Sequence, residues 1–64
     1  MVRERIRGRL VEIEVGEVPG LGWVAVGVVA EGLAPERGQR FEARAAGRDA
    51  AEQALRAEIE ASLE

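Results

Sequence analysis

The sequence contains no cysteine, histidine, lysine, tyrosine, threonine or asparagine, and these absences exclude several kinds of chemistry. Without cysteine there is neither a disulfide framework nor a thiolate metal site. Ser62 is the only hydroxyl-bearing residue, and no histidine is present to act as its base, so nucleophilic catalysis is not expected. A metal site would have to be built from carboxylates alone. We therefore predict a protein that is not an enzyme and that has no metal and no cofactor.

Long apolar runs and a strong charge of one sign are also lacking. No apolar stretch approaches the roughly 18 residues of a membrane span, and residues 1–4 do not open a secretory signal. The 64 residues carry a net charge of -3, and 47% of them are hydrophobic. We expect one cytoplasmic domain over residues 1–64, without membrane contact and small enough to favour a homo-oligomer. The many Glu and Arg residues suit a heat-adapted source.

The first strand shows apolar residues in two opposite phases. Val11 and Ile13 alternate with glutamates, which is the pattern of a half-buried strand. Before them, Ile6 and Leu10 are the apolar positions, between arginines. One core cannot accept both phases without an extra residue, so the sequence predicts a bulge near Leu10 and Val11, or a bend at Gly8.

Two more strands and a helix follow. Pro19 and Gly20 fit the centre of a type II turn leading into a second strand over residues 23–30, and residues 40–45 alternate as a third strand. Asp49 with Glu52 three positions later predicts a capping box at the start of a helix over about residues 50–63. The predicted fold class is α+β: a three-stranded antiparallel β-meander with one C-terminal helix packed on one face (β-β-β-α).

The second strand is apolar on both sides, so one of its sides needs a partner. We expect its β-branched side under the helix, in a core made of Val11, Ile13, Val24, Val26, Val28, Phe41 and Ala43. The predicted interface with a second copy, in a dimer or larger assembly, or with a protein partner, consists of Trp23, Ala25, Gly27 and Val29. Two alternatives stay open. Long side chains from the neighbouring strands could fold over the low apolar channel at Ala25 and Gly27 within one chain. The Trp23 ring could cap the end of the sheet instead of anchoring an interface.

Arginine occupies four alternate positions near the start of the chain: Arg3, Arg5, Arg7 and Arg9. In an extended strand these side chains line one face at intervals of roughly 6.6 Å. Such a basic strip fits nucleic-acid phosphates or an acidic protein partner. We favour a solvated edge strand that its charge protects from aggregation.

Two resemblances to known families concern the order β-β-β-α. Residues 46–59, AGRDAAEQALRAEI, resemble the glycine, cap, acidic residue and Ala-Leu helix of HicB-like antitoxin domains, and residues 22–26, GWVAV, are similar to the glycine-aromatic start of their second strand. This resemblance implies a partial ribonuclease-H-like β-β-β-α fold, oligomers, and an antitoxin that masks a small toxin. Residues 41–57 more weakly resemble the double-stranded RNA-binding domain, lacking its first helix.

The second resemblance does not imply that this chain binds RNA. That family carries a lysine cluster where this chain has Arg48 beside Asp49 and Glu52, and phosphate contacts dominate such recognition. We therefore expect a small non-catalytic oligomeric protein-interaction domain, HicB-antitoxin-like and masking a partner protein. The alternative is a minimal nucleic-acid-binding module that uses the basic strip.

Overall fold

A computed structural model describes residues 2–63. Its elements are β1 (Val2–Ile6), β2 (Arg9–Val18), β3 (Gly22–Glu31), β4 (Arg40–Ala45) and α1 (Arg48–Ser62). The strands form one antiparallel sheet in the order β1-β2-β3-β4, and α1 packs on one face of it. The α+β class and the C-terminal helix are confirmed. The predicted number of three strands is wrong, because the sheet has four.

The additional strand arises from a tight turn at Arg7 and Gly8. Ile6 pairs with Arg9, which leaves a two-residue hairpin loop. Arg7 has a φ of 50° and Gly8 a φ of 81°, the two positive values that a type I′ turn requires. The Arg7 guanidinium donates a hydrogen bond to the Glu60 carbonyl oxygen at 3.1 Å. This contact ties the hairpin to α1.

The predicted bulge near Leu10 and Val11 is confirmed. Leu10 pairs with Glu31 and Val11 pairs with Val29, so the register between β2 and β3 shifts at this point. The unpaired extra residue is Ala30, on the partner strand. The two opposite phases are resolved by the turn at Arg7 and Gly8, where the sequence predicts a bend as the alternative to the bulge. Ile6 pairs with Arg9, so Ile6 and Val11 both face the helix and are buried.

The predicted turn between the first two long strands is also found. The Leu21 amide donates to the Val18 carbonyl oxygen at 2.9 Å. Gly20 has a φ of 78°, close to the value at the third position of a type II turn. At Gly22, a Cβ atom would lie 2.7 Å from the Ala45 carbonyl oxygen, so β3 can begin beside β4 only with glycine there.

Helix α1 begins earlier than the sequence predicts. Its N-cap is Gly47, which makes no side-chain cap, so the predicted capping box of Asp49 and Glu52 is not formed. Asp49 lies in the first turn instead, where its negative charge is favourable beside the positive end of the helix dipole. At the other end of α1, the Leu63 amide donates a hydrogen bond to the Ile59 carbonyl oxygen at 2.9 Å.

The core lies between α1 and the sheet. Among residues 2–63 it consists of nine buried apolar side chains: Ile6, Val11, Ile13, Ala25, Val29, Ala51, Leu55, Ile59 and Leu63. Partly buried Phe41 and Ala43 pack against it as predicted. The helical spacing of Ala51, Leu55 and Ile59 therefore gives the correct buried face of α1.

Two ion pairs attach peripheral segments to this core. Arg56 on α1 donates from Nε to Glu4 Oε2 on β1 at 2.6 Å. Arg9 holds Glu36, in the β3–β4 connection, through two hydrogen bonds of 2.9 and 2.6 Å. Both side chains of the second pair are mostly shielded from solvent, at 19% and 17% exposure. The bidentate geometry fixes the long connection against the first hairpin.

The Arg9–Glu36 pair predicts a pH-dependent contribution to stability. Hydrogen bonds from Arg9 hold the pKa of the Glu36 carboxyl below its ordinary value. The pair therefore contributes fully above the ordinary glutamate pKa of about 4.3, and its contribution is lost as pH falls through the lowered pKa. We expect Glu36→Gln to melt below the wild type at pH 7, with a difference that shrinks below about pH 4.

Thermal unfolding followed by circular dichroism from neutral to acid pH measures this difference. Glu58→Gln is the matched control, because Glu58 is exposed on α1. A melting-temperature gap for Glu36→Gln that stays constant down to the lowest pH would contradict the prediction.

Candidate interaction surface on the open sheet face

The two sides of β3 face the opposite way from the prediction. Gly27 pairs with Ile13 and Val29 pairs with Val11, so these residues share the face on which Val11 and Ile13 meet the helix. Ala25 and Val29 are fully buried. The predicted assignment of Trp23, Ala25, Gly27 and Val29 to an open interface is therefore wrong, because α1 covers that side.

The small residues of β3 explain why the helix lies on this side. A Cβ atom at Gly27 would lie 3.0 Å from Ile59 Cδ1 and 3.4 Å from Leu55 Cδ2. The two long helix side chains thus occupy the space that Gly27 and Ala25 leave. Trp23 is half-buried and packs against the same core, which favours its interpretation as a ring closing the end of the sheet.

The other side of the sheet has no element over it among residues 2–63, and we call it the open face. Its central strand presents the valine row, which is Val24, Val26 and Val28. All three side chains are half-buried. The predicted place of the valine row beneath the helix is wrong, since the pairing of β3 with β2 and β4 turns these side chains away from α1.

The valine row separates two groups of charged side chains. On the β2 side, Glu12 pairs with Val28 and Glu14 with Val26. On the β4 side, the residues paired with the valine row are Arg40, Glu42 and Arg44. A shallow hollow lies between the acidic residues and the valines, lined by Glu12, Glu14, Val26 and Val28. The open face is thus apolar along β3, acidic along β2 and net basic along β4, and β1 adds Arg3 and Arg5 beyond β2.

Charged side chains on the open face differ in how far they are paired within the chain. Glu12 contacts Arg3 at 3.2 Å. Glu42 lies 3.7 Å from Arg40 and 4.0 Å from Arg44. Within residues 2–63, Glu14 makes no salt bridge, and its side chain is exposed.

The predicted basic strip of Arg3, Arg5, Arg7 and Arg9 is not formed as one line. The hairpin turn leaves Arg3 and Arg5 on the open face of β1, whereas Arg9 is opposite Ile6 on the helix side. Arg5 lies 3.7 Å from Glu31, and Arg7 and Arg9 bind Glu60 and Glu36. Four arginines that alternate in sequence are therefore divided among separate acceptors.

Other kinds of site are not found in the part of the chain that is described. Among residues 2–63, no three Asp or Glu side chains come together in a way that could hold a metal ion.

The single helix between residues 2 and 63 is too short and too polar to cross a membrane.

The chain is thus a small α+β domain, a four-stranded antiparallel meander backed by one helix. Comparisons with protein-family models, curated proteins and solved structures find no match. The resemblances to HicB-like antitoxin domains and to the double-stranded RNA-binding domain therefore stay predictions.

Proposed function

We propose that the protein is a small non-catalytic interaction domain that assembles with a second copy of itself through the open face. The valine row carries this proposal. An antiparallel sheet with one covered side normally alternates apolar and polar residues along each strand. β3 departs from this rule, because Val24, Val26 and Val28 are apolar on the side that α1 does not cover.

The energy available from the valine row is consistent with a reversible assembly. Completing the burial of a half-buried valine contributes up to about 1 kcal/mol, so the six valines of two copies contribute at most about 6 kcal/mol. Association costs several kcal/mol of translational and rotational freedom. We therefore expect a weak, reversible dimer with a dissociation constant of about 100 μM or higher, not an obligate one.

Nucleic-acid binding is supported less well by the arrangement of charges. Arg7 and Arg9 are engaged by acceptors within the chain, and the open face mixes acidic and basic side chains. Salt-sensitive binding of a labelled RNA or DNA duplex that Arg3→Ala and Arg5→Ala weaken would favour this alternative. The antitoxin-like masking of a partner protein, which the HicB-like resemblance implies, has no described contact to support it and stays a prediction.

Replacing Val26 with arginine tests the proposed function. Val26 lies at the centre of the valine row, so Val26→Arg places a charge where two copies meet while the core on the other side is untouched. In sedimentation velocity from about 10 μM to about 1 mM, the wild type should approach twice the 6.9 kDa of one chain. The Val26→Arg chain should remain a monomer with unchanged circular dichroism.

Ala57→Arg is the matched control, because Ala57 is exposed on α1, away from the open face. This variant should dimerise like the wild type. A wild type that stays monomeric at the highest concentration, or a loss of dimer in Ala57→Arg equal to that in Val26→Arg, would refute the proposal.

A further inference from the structure

We infer the orientation of the dimer, an inference that rests on the proposed function: the two sheets stack face to face about a two-fold axis that runs along β3. The β3 strands of the two copies then point in the same direction. The distribution of charge about the valine row selects this orientation.

Each valine is flanked by a pair of residues that the strand register defines. Val28 lies between Glu12 and Arg40, and Val24 lies between Gly16 and Arg44. The middle of the row, Val26, lies between Glu14 and Glu42. The β2 flank therefore carries two negative charges, of which Glu12 also contacts Arg3 on β1 at 3.2 Å. The β4 flank carries two positive charges around one negative charge.

A two-fold axis along β3 brings unlike flanks together. It places the β2 flank of one copy over the β4 flank of the other, and each valine of the row then faces the same valine of the second copy. Glu12 then faces Arg40 of the partner subunit. Glu14, which has no salt bridge among residues 2–63, faces Glu42 of the partner subunit. In each copy Arg40 and Arg44 lie 3.7 and 4.0 Å from Glu42, so basic side chains flank this contact of two carboxylates.

A two-fold axis across the strands gives the opposite result. It places β2 over β2 and β4 over β4, so glutamates face glutamates and arginines face arginines. Like charges brought together at an interface cost several kcal/mol. Of these two axes, the one along β3 therefore brings more unlike charges together, since it places Glu12 opposite the partner's Arg40 and leaves Glu14 among the arginines of β4.

The dimensions of the sheet fit this contact. Stacked sheets lie about 10 Å apart with strands within about 30° of each other, a gap that glutamate and arginine side chains can span. About this axis β2, β3 and β4 overlap with the partner, whereas β1 has no strand opposite it. Three strands about 4.8 Å apart, over six residues of about 3.3 Å, give a face of about 300 Å². This area is less than half that of a standard interface on each partner, so charge contributes a large share and salt should weaken the dimer.

Charge reversal on one flank at a time tests the orientation. In the double variant E12R/E14R, basic side chains would face the basic flank of the partner, and in R40E/R44E, acidic side chains would face the acidic flank. Each should raise the dimer dissociation constant about tenfold or more relative to the wild type. With an axis across the strands, like charges face each other in the wild type and still face each other in either double variant. No such loss of dimer affinity would then occur.

The quadruple variant E12R/E14R/R40E/R44E completes the test. It keeps the net charge of -3, because two reversals in each direction cancel, and it again places unlike flanks together. It should dimerise like the wild type but form no mixed dimer with it. A quadruple variant that prefers the wild type over itself would overturn the orientation.

E58R/E60R is the control for net charge, because it changes the total as E12R/E14R does but on the exposed side of α1. It should leave the dissociation constant within about twofold of the wild type. Loss of the dimer in E58R/E60R as large as in E12R/E14R would show that net charge alone governs assembly, and it would overturn the inference.

A crosslinking measurement keeps the orientation testable if a charge variant does not fold. The chain has no cysteine, so one introduced thiol reacts alone. With the axis along β3, Val24→Cys should crosslink to another Val24→Cys chain through a short bismaleimide. Efficient crosslinking only between Val24→Cys and Val28→Cys chains would overturn this orientation, while a wild type without any dimer would refute the proposed function itself.

Discussion

Replacing Gly27 with valine is expected to unfold much of the protein, whereas the same replacement at Gly16 leaves the fold intact. A Cβ atom at Gly27 would already lie 3.0 Å from Ile59 Cδ1 and 3.2 Å from Val11 Cγ1, and two further methyl groups have no room. Overpacking of this kind costs about 1 to 3 kcal/mol or more. That is a large share of the stability that a core of this size supplies, roughly 3 to 5 kcal/mol.

Gly16 is the matched position on the open face. It lies on β2 opposite Val24, and no atom lies within 4 Å of the place where its Cβ would be. Valine there suits a strand and reduces the freedom of the unfolded chain, so stability should be unchanged or slightly higher.

Urea unfolding at low protein concentration compares the two variants without interference from assembly. The expected result is a midpoint for Gly27→Val far below that of the wild type, or no folded baseline at all, and a wild-type-like midpoint for Gly16→Val. Equal midpoints for the two variants would mean that α1 does not cover the Gly27 side of the sheet.

Leu55→Ala is expected to have the second large effect. The Leu55 side chain is fully buried between α1 and the sheet, and removing a leucine from such a position costs about 2 to 5 kcal/mol. We expect the variant to be largely unfolded at 25 °C, because a domain of this size has little stability to spare.

Leu21→Ala makes the same chemical change in the β2–β3 turn, where Leu21 is 76% exposed. Its melting curve should stay within a few degrees of the wild type, since surface substitutions usually change stability by less than about 0.5 kcal/mol. Differential scanning calorimetry of both variants gives the comparison. A cooperative transition in Leu55→Ala near that of Leu21→Ala would contradict the described core.

Much of the fold follows from local sequence patterns. Helical spacing gave the buried face of α1, and Pro19 with Gly20 gave the turn before β3, because these features depend only on neighbouring residues. At Arg7 and Gly8 the sequence predicts at most a bend, and the hairpin turn found there is missed for a physical reason. A type I′ turn needs a positive φ at both central positions, and arginine at the first of them is not a residue that signals it.

The open face could not be assigned from the sequence pattern alone. β3 is apolar on both sides, so alternation does not reveal which side is buried, and long-range pairing with β2 decides it. The bulk of the three valines favours a place under the helix, which is why the sequence alone predicts them in the core. Gly27 was the better signal, since glycine inside a strand often marks close approach by another part of the chain.

The prediction of one continuous basic strip is wrong for a related reason. Residues at alternate positions share a face only while the chain stays extended, and the turn at Arg7 and Gly8 reverses it. Arg9 consequently pairs with Glu36, which lies 27 residues away in the chain. No local pattern indicates such a partner.

Amide chemical shifts followed on dilution test the open face most directly. For the isotope-labelled wild type, diluted from about 1 mM to about 20 μM, the changes should be confined to residues 12–16, 24–28 and 40–44. The exposed side of α1 should show none. Changes centred on α1, or no change at any position over this range, would contradict assembly through the valine row.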